Sequence, residues 1–154
     1  MGETLRAVAY VPRGTATGFD IAVLYHDERR VRRRVIPLVH GDEVLVDFPQ
    51  PVTMDQHGLL QLEDGRYVEI IAGEEHLYEV RGRDARHLMQ LAWHIGNRHA
   101  KAEVDPAGRI VILRDHVLRD MLIGLGATVT EISEPFSPMD GAYAHDHGHA
   151  LLNR

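Results

Sequence analysis

Histidine is the residue type that most strongly suggests chemistry in this sequence. The chain has 154 residues, of which 11 are His and none is Cys. Three of these residues, His145, His147 and His149, lie within the last ten positions in the order His-Asp-His-Gly-His. Short His-rich tracts are typical of metal binding, and neutral imidazole is a good ligand for nickel, copper and zinc. The lack of Cys excludes thiolate metal sites, iron–sulfur clusters and disulfides.

Three further His residues are candidate ligands outside this tract: His94, His99 and His116. His94 falls on a predicted helix, where a lone His is more often a surface or packed residue than a ligand. His99 follows Gly96-Asn97-Arg98, at the junction between that helix and a predicted exposed strand. Small and polar neighbours leave the His99 ring accessible, so it is either a metal ligand or an ordinary surface residue.

No enzyme motif accompanies these residues. The sequence contains no Gly-x-Ser-x-Gly elbow, no phosphate-binding Gly-x-x-x-x-Gly-Lys-Ser/Thr loop and no His-Glu-x-x-His pair. We therefore expect a protein that is not an enzyme. The alternative within metal chemistry is a hydrolase that binds its ion through His94, His99 and His116, which would need a carboxylate or base beside an open coordination position.

Composition and charge narrow the partners. The chain is 44% hydrophobic, a fraction typical of folded proteins. Its net charge of -6 argues against nucleic acid binding by the protein as a whole. Its apolar runs are far shorter than the ~20 residues of a membrane span, and its start resembles no signal peptide. We therefore expect a cytoplasmic protein that does not bind membranes.

One cluster of basic residues is an exception to the overall negative charge of the chain. It consists of Arg29, Arg30, Arg32, Arg33 and Arg34. A solvated strand or loop is the ordinary interpretation of such a run, and a docking patch for an acidic partner is the alternative.

The first half, residues 1–75, is predicted to be an all-β domain. The predicted strands are 7–11, 31–39, 43–48, 58–62 and 67–71, and Pro49 is expected to close the third. Asp64-Gly65 predicts a hairpin with a type I′ turn. Many short strands at this spacing suggest a small β-sandwich or a partly open barrel.

The second half alternates strands with helices. Asp84 and Asp115 are predicted N-caps of two helices, the first ending near Gly96 and the second at Gly124 and Gly126. Residues 76–134 thus follow the order β-α-β-β-α-β, which is the ferredoxin-like arrangement. Residues 135–154 contain several helix and strand breakers and are predicted to form a flexible His-containing tail. The fold class is therefore α+β.

The sequence resembles the UreE urease accessory proteins, the nickel metallochaperones. Residues 93–99, Trp-His-Ile-Gly-Asn-Arg-His, look like the helix-end signature of that family. A second match runs over residues 115–122 with Gly126 following, and a third joins Pro135-Phe136-x-Pro138 to Gly141-Ala142-Tyr143. The Arg-rich strand and residues 61–66 fit the family as well, so the resemblance spans nearly the whole chain.

The resemblance implies an architecture and a set of partners. An all-β N-terminal domain would contact partner proteins, and a ferredoxin-like domain would hold the metal and form a homodimer. The cargo would be Ni²⁺, delivered for assembly of the urease active site, although Zn²⁺ and Cu²⁺ accept the same imidazoles. The partners would be the urease apoprotein and other urease accessory proteins, including the GTPase UreG.

The resemblance also assigns roles to individual residues. His99 would bind nickel at the contact between two protomers, so that a two-fold axis converges two rings on one ion. His116 matches a weaker additional site, but the second His of that site is replaced here by Arg114. His145, His147 and His149 match a variable His-rich end that can supply further ligands. His94 matches a family residue that is not a primary ligand.

A third hypothesis belongs to a different class. The β domain could bind proteins or peptides in its grooves while the His residues are incidental. Binding that is indifferent to chelators would favour this protein- or peptide-binding module over a metal carrier.

Overall fold

The protein is a mixed α+β chain that divides into two compact units, Met1–Glu74 and Glu75–Arg154. The computed structural model describes residues 2–141, so the predicted ligands His145, His147 and His149 lie outside the described residues. Neither helix of this described stretch has the length and apolar character that crossing a membrane requires.

Strands are the only regular elements within residues 2–74. They are β1 (Thr4–Val11), β2 (Asp20–Leu24), β3 (Arg30–Pro37), β4 (Glu43–Thr53), β5 (Leu59–Leu62) and β6 (Tyr67–Ala72). They form one sheet in the order β2-β6-β5-β1-β4-β3, with parallel pairs β1/β4 and β2/β6.

All six of these strands contribute side chains to a single buried cluster. The cluster includes Ala22, Val31, Val44, Leu60 and Ile70. Burial alternates along β6, as expected of a strand with one covered face. Because one sheet supplies all of the cluster except Leu38 and Met54, the sheet curls around its own core, and the unit is not a sandwich of two stacked sheets.

Three details of this sheet differ from the sequence prediction. β2 was not predicted, because a strand of five residues that begins with an aspartate gives a weak sequence signal. The Asp20 side chain is buried and accepts a hydrogen bond from the backbone N–H of His40. β4 does not close at Pro49 but runs on to Thr53. Its prolines lie between Asp47 and Val52, where the pairing with β3 shifts register, so no ladder hydrogen bond is lost.

The third difference concerns the predicted hairpin. β5 and β6 pair as an antiparallel hairpin, but the turn is not type I′. Gly65 has φ 91° and its N–H donates to the carbonyl of Leu62, whereas Asp64 does not adopt a positive φ. This is a three-residue loop in which the glycine alone takes the left-handed conformation.

The second unit has the element order that the sequence predicts, β-α-β-β-α-β. Its elements are β7 (Glu74–Arg81), α1 (Ala85–Asn97), β8 (Ala102–Asp105), β9 (Arg109–Leu113), α2 (His116–Gly124) and β10 (Thr128–Pro135). The sheet order is β10-β7-β9-β8, with β9 antiparallel to both β7 and β8.

Two N-capping carboxylates start the helices as predicted. The Asp84 side chain accepts a hydrogen bond from the backbone N–H of His87, and the Asp115 side chain accepts from Val117 and Leu118. The apolar side of each helix packs on one face of the sheet. That core consists of Tyr78, Val80, Leu91, Ile95, Ile110, Ile112, Leu118 and Leu122.

The segment that follows β10 is packed, which corrects the prediction that the tail begins at residue 135. Pro135 still belongs to β10, and the side chain of Phe136 is 0% exposed. Phe136 clusters with Leu77 and Val111, whose side chains lie on the sheet face opposite the helices. Phe136 thus anchors this segment against that face of the sheet.

Candidate metal centre

The C-terminal end of α1 places His99 in an unusual backbone conformation. The helix does not stop at Gly96, as the sequence suggested, but continues to Asn97 with Arg98 as its C-cap. The N–H of His99 then donates to the carbonyl of Gly96, and the N–H of Ala100 donates to that of Ile95. These two bonds define a Schellman motif, in which the residue at the position of His99 adopts a left-handed conformation and is usually glycine.

His99 has φ 56°, inside the left-handed region. Only one other residue that is not glycine, His57, has a positive φ among residues 2–141. The His99 side chain is exposed. An L-residue in this conformation costs conformational energy that glycine would not, so the position is a candidate for function and not for stability.

Helix electrostatics distinguish His99 from His116. His99 follows the C-terminal end of α1, where unpaired carbonyl groups carry partial negative charge that favours a bound cation. His116 is the first residue of α2, where the partial charge is positive and disfavours one. Both rings are exposed, but only the end of α1 offers an electrostatic environment suited to a metal ion.

Hydrogen bonding around Asp115 also belongs to the architecture of α2. Its carboxylate accepts two backbone N–H groups, from Leu118 and Val117, and these bonds hold its pKa below the ordinary value. Because this carboxylate caps the helix, it is poorly suited to bind a metal ion together with His116.

Arg114 has a structural role at the position where the resemblance implies a second His. Its guanidinium donates to the carbonyls of Leu77 and Ile132, at 3.1 Å in each case. Arg114 thereby ties the end of β9 to β7 and β10. The two-His arrangement of the weaker family site is therefore absent from this position.

His94 and His87 are held within the helical layer. The His87 ring is buried, with Nδ1 accepting from the backbone N–H of Arg83 and Nε2 lying 2.8 Å from the carbonyl of Leu125. It joins the start of α1 to the end of α2. The half-buried His94 packs edge-on against Trp93, with ring centroids 5.1 Å apart.

A cluster of three carboxylates in the second unit is already occupied by an arginine. Arg109 contacts Glu79, Asp105 and Glu134 at 2.7–2.9 Å. These ion pairs raise the pKa of Arg109, and its hydrogen bond is the main reason that the pKa of Glu134 is lowered. The cluster holds the strands together and is not available to a cation.

No group of three or more His, Cys, Asp or Glu residues within residues 2–141 is arranged to hold a metal ion. His94, His99 and His116 therefore do not form the ligand set that a metal-dependent hydrolase would require. A site at His99 needs donors from residues 142–154 or from a second copy of the chain.

Helix α1 carries an exposed apolar stripe, which Met89 and Trp93 form. Met89 and Trp93 lie four residues apart, so their side chains share one face of the helix, and they are 67% and 64% exposed. Exposed large apolar side chains that adjoin one another can mark a protein interaction surface. The stripe is a surface suited to association, and it lies on the helix that ends just before His99.

The described chain ends in a groove that residues near His99 in the sequence also line. A shallow groove is lined by Ala92, Ile95, Gly96, Ala100, Lys101, Ala102, Val104, Ile110, Met139, Asp140 and Gly141. Gly96 and Ala100 flank His99 in sequence, and Gly141 immediately precedes the His-containing end. Sequence reasoning missed this approach because it treated residues 135–141 as unstructured. A large apolar residue between two prolines, Phe136, was a local sign that this segment packs, although it does not show on which face.

The arginine cluster is divided by the structure. Arg29 is buried, whereas Arg30, Arg32 and Arg33 are exposed on or beside β3, the last strand of its sheet. Arg33 contacts Asp47 at 3.3 Å, and Arg30 donates to the hydroxyl of Thr53. The exposed surface is therefore smaller than the sequence run suggests but remains basic.

Comparison with known proteins identifies the family. Residues 75–153 match the family model described as the UreE urease accessory protein, C-terminal domain. The "Urease accessory protein UreE" of Mesorhizobium japonicum is 60% identical over 134 residues, which cover 87% of this chain and 68% of that protein. The protein of the same name from Rhizobium rhizogenes is 49% identical over 145 residues, covering 93% and 86%. That of Rhizobium etli is 51% identical over 145 residues, covering 93% and 71%. The chain therefore belongs to the UreE urease accessory protein family.

Proposed function

We propose that this protein is a nickel metallochaperone that takes part in urease maturation, binding Ni²⁺ through His99 and releasing it for the urease active site. The observation that carries the proposal is the exposed imidazole at the left-handed position of the α1 Schellman motif. The relatives named as urease accessory proteins supply the biological context. In this role the ion is cargo, and the protein is not an enzyme.

The ligand set fits a carrier better than a resident metal site. Residues 2–141 of one chain provide no group of three ligands, so the first coordination shell must be shared. We assign His99 of two protomers as the central pair, with His145, His147 and His149 as additional donors. An incomplete shell of imidazoles allows ligands to exchange, and Zn²⁺ and Cu²⁺ can occupy it as well as Ni²⁺.

Association through α1 would create the shared site. In a two-fold dimer each surface meets its own copy, so the Met89 and Trp93 stripes would cover one another. We place the two His99 rings, each just past the end of α1, close to the same axis. Burial of the two exposed apolar side chains favours the dimer, and the shared ion adds to it.

The two units take different parts in this proposal. We assign residues 1–75 to contacts with the urease apoprotein and with other accessory proteins, including UreG. We assign residues 76–134 to metal binding and dimerisation, as a ferredoxin-like domain whose sheet order β10-β7-β9-β8 and two helices support that class. The exposed arginines of β3 suit an acidic partner surface, and a cytoplasmic location follows from the partners.

Titration calorimetry with Ni²⁺ tests the central claim. His99→Ala should abolish the tightest site without unfolding the chain, because the exposed ring contributes little to the core. His76→Ala, which removes an exposed imidazole from β7, is the matched control and should bind as the unaltered protein does. Unchanged affinity and stoichiometry in His99→Ala would contradict the proposal.

Two further measurements separate binding from function. Light scattering during size-exclusion chromatography should show a dimer when nickel is present, and a monomer at all concentrations would contradict the shared site. Activation of urease apoprotein at limiting nickel should fall in His99→Ala but not in His76→Ala. Equal urease activation by both variants would contradict a role for His99 in nickel delivery.

A further inference from the structure

Strand β3 is the last strand of its sheet, so its outer edge pairs with no other strand within residues 2–141. The hydrogen bonds that follow β3 show which backbone groups face this edge. The N–H of Leu38 donates to the carbonyl of Asp42 and continues the antiparallel ladder between β3 and β4. Because successive residues of such a strand bond alternately to one side and the other, the backbone groups of Arg33 and Val35 face outward.

The unpaired part of this edge is short and has defined ends. At one end the guanidinium of Arg34 donates to the carbonyl of Arg30 at 3.2 Å, so that acceptor is occupied. At the other end Pro37 has no N–H, which a position facing away from the ladder tolerates. Residues 33–37, here called the open edge, therefore offer N–H and carbonyl groups to a further strand.

Arginine side chains surround the open edge. Arg30, Arg32 and Arg33 are exposed, and Arg34 is partly exposed. Arg32 makes no ion pair or hydrogen bond with residues 2–141. Arg33 contacts Asp47 at 3.3 Å, but exposed ion pairs of this kind contribute little and a competing carboxylate can replace them. The open edge therefore carries an excess of positive charge, although the chain as a whole has a net charge of -6.

The charge of an edge strand decides which strand can add to it. Charged side chains on an edge commonly prevent pairing with other chains. Here that protection depends on the sign of the partner, because a second copy of β3 would be repelled and an acidic segment would be attracted. Nucleic acid would meet the arginines as well, but its phosphate backbone has no donors for the outward carbonyl groups. An acidic peptide satisfies both the charge and the backbone.

The side chains on the outer face add a pattern to this preference. Val35 is 45% exposed and pairs with the half-buried Leu45 of β4. Arg33, two residues earlier, lies on the same face of the strand. A strand that added beside β3 would therefore place an acidic residue opposite Arg33 and an apolar residue opposite Val35.

We infer that the open edge is a docking site for an extended acidic segment of a partner protein, which joins the sheet as a strand beside β3. The backbone of the segment pairs with the outward groups of Arg33 and Val35, and its carboxylates face the arginines. The inference rests on the proposed function only for the assignment of residues 1–75 to partner contacts. No metal ion takes part in it.

Hydrogen exchange of the full-length protein, followed by NMR, tests this inference residue by residue. The probe is the peptide acetyl-Glu-Glu-Val-Glu-Glu-Val-Glu-Glu-amide. At a free concentration ten times its Kd, the peptide should slow exchange of the Arg33 and Val35 N–H groups about tenfold. Exchange at Arg34 and Ile36 should not change, because their N–H groups already face β4. Unchanged exchange at Arg33 and Val35 would overturn the inference.

Two altered peptides separate backbone pairing from charge without altering the protein. The same sequence N-methylated at alternate residues keeps every carboxylate but cannot form the ladder, so it should bind more weakly. The sequence with Lys in place of Glu should not bind. Equal affinity of the N-methylated peptide would overturn strand addition, and equal affinity of the Lys peptide would overturn the charge preference.

Protein variants locate the site on β3. Arg32→Gln should weaken binding of the Glu peptide by about 1.5- to 5-fold, the share of one exposed ion pair. Arg13→Gln, which neutralises an exposed arginine outside the strands, is the matched control and should bind as the unaltered protein does. Equal affinities of the two variants would overturn the placement at β3.

Val35→Pro removes one outward N–H and no bond to β4, so the peptide affinity should fall by about 2- to 10-fold. Val35→Ala loses the same side chain but keeps the N–H, so it should bind the peptide more tightly than Val35→Pro does. Equal affinities of these two variants would count against backbone pairing at this residue and overturn the inference.

One competitor and one titration complete the test. An oligothymidylate of similar length should displace the Glu peptide poorly, and tighter binding of the oligothymidylate at the same arginines would overturn the inference in favour of a phosphate-binding surface. Arg32→Gln should leave nickel binding unchanged. Failure of His99→Ala to alter nickel binding would contradict the proposed metal site without affecting the open edge, so the two proposals fail separately.

Discussion

Helices α1 and α2 end in the same hydrogen-bonded turn but place different residues at its left-handed position. At the end of α2 the N–H of Gly126 donates to the carbonyl of Ile123, and that of Ala127 donates to Leu122. Gly126 has φ 90° and His99, its counterpart at the end of α1, has φ 56°. The same fold thus uses the preferred residue at one end and a costlier one at the other. The difference supports the proposal that the imidazole at the end of α1 matters more for function than for local stability.

The largest effect expected from exchanging these residues is on nickel binding. His99→Gly should keep the turn but remove the ligand. Loss of a residue that merely orients a metal ligand costs about 10–100-fold in affinity, so loss of the ligand itself should exceed about 100-fold. Calorimetric titration with Ni²⁺ measures this, with His99→Asn as a second variant that tolerates the left-handed conformation. If both variants kept the nickel affinity of the unaltered protein, the different residues at the two helix ends would have no bearing on nickel binding.

The reverse exchange should destabilise the fold. A Cβ atom at position 126 would lie 2.2 Å from the guanidinium of Arg83, and φ 90° strains any residue that has one. We expect Gly126→His to lower the free energy of unfolding by about 2 kcal/mol. Gly124→Ala is the matched control, since it lies in the helix with open space around it and should stabilise by about 0.5–1 kcal/mol. Urea denaturation measures both, and equal effects would show that the turn imposes no preference.

His99→Gly should also make the protein without metal more stable. Relief of the left-handed conformation is worth about 1–2 kcal/mol, and the greater freedom of glycine in the unfolded chain offsets part of it. A net gain of about 0.5–1 kcal/mol in urea denaturation would show that the site is held at the expense of stability. A lower free energy of unfolding in His99→Gly would mean that the His99 ring stabilises the fold through contacts of its own.

The smallest expected effect concerns the start of α2. Because the folded-state pKa of Asp115 is lowered, its stabilising contribution is present above the ordinary pKa of about 3.9 and is lost as the pH falls through the lowered value. Asp115→Asn, which still caps the helix, should leave the free energy of unfolding at neutral pH almost unchanged. It should also remove the loss of stability that protonation of Asp115 causes at acid pH. Urea denaturation at pH 7, 4 and 3 measures it. An identical pH profile in the variant would show that the carboxylate does not contribute.

Much of the second unit was predictable because its signals are local. Asp84 and Asp115 sit where a carboxylate can cap the helix that follows, and the apolar spacing after each sets the face that packs on the sheet. The conformation of His99 was not predictable in the same way. Gly96 resembles a helix stop in sequence, but it lies on an exposed part of α1 and remains helical.

The remaining errors depend on contacts between distant residues. Phe136 is buried only because the face formed by Leu77 and Val111 is available to it, and no local pattern reveals that face. Pro49 and Pro51 continue β4 because a register shift spares them from the ladder. The nickel ligands themselves are still predictions, with His145, His147 and His149 outside the described residues.

The hydrogen-bonded turn at the end of α1 fixes the backbone of His99, while its ring makes no hydrogen bond or ion pair with residues 2–141. Exposed side chains rotate within picoseconds to nanoseconds, and local unfolding takes microseconds or longer. Under the proposed function, an ion bound by such a ring would therefore arrive and depart without any opening of the fold. The rate of hand-over would be set by coordination chemistry and by the recipient.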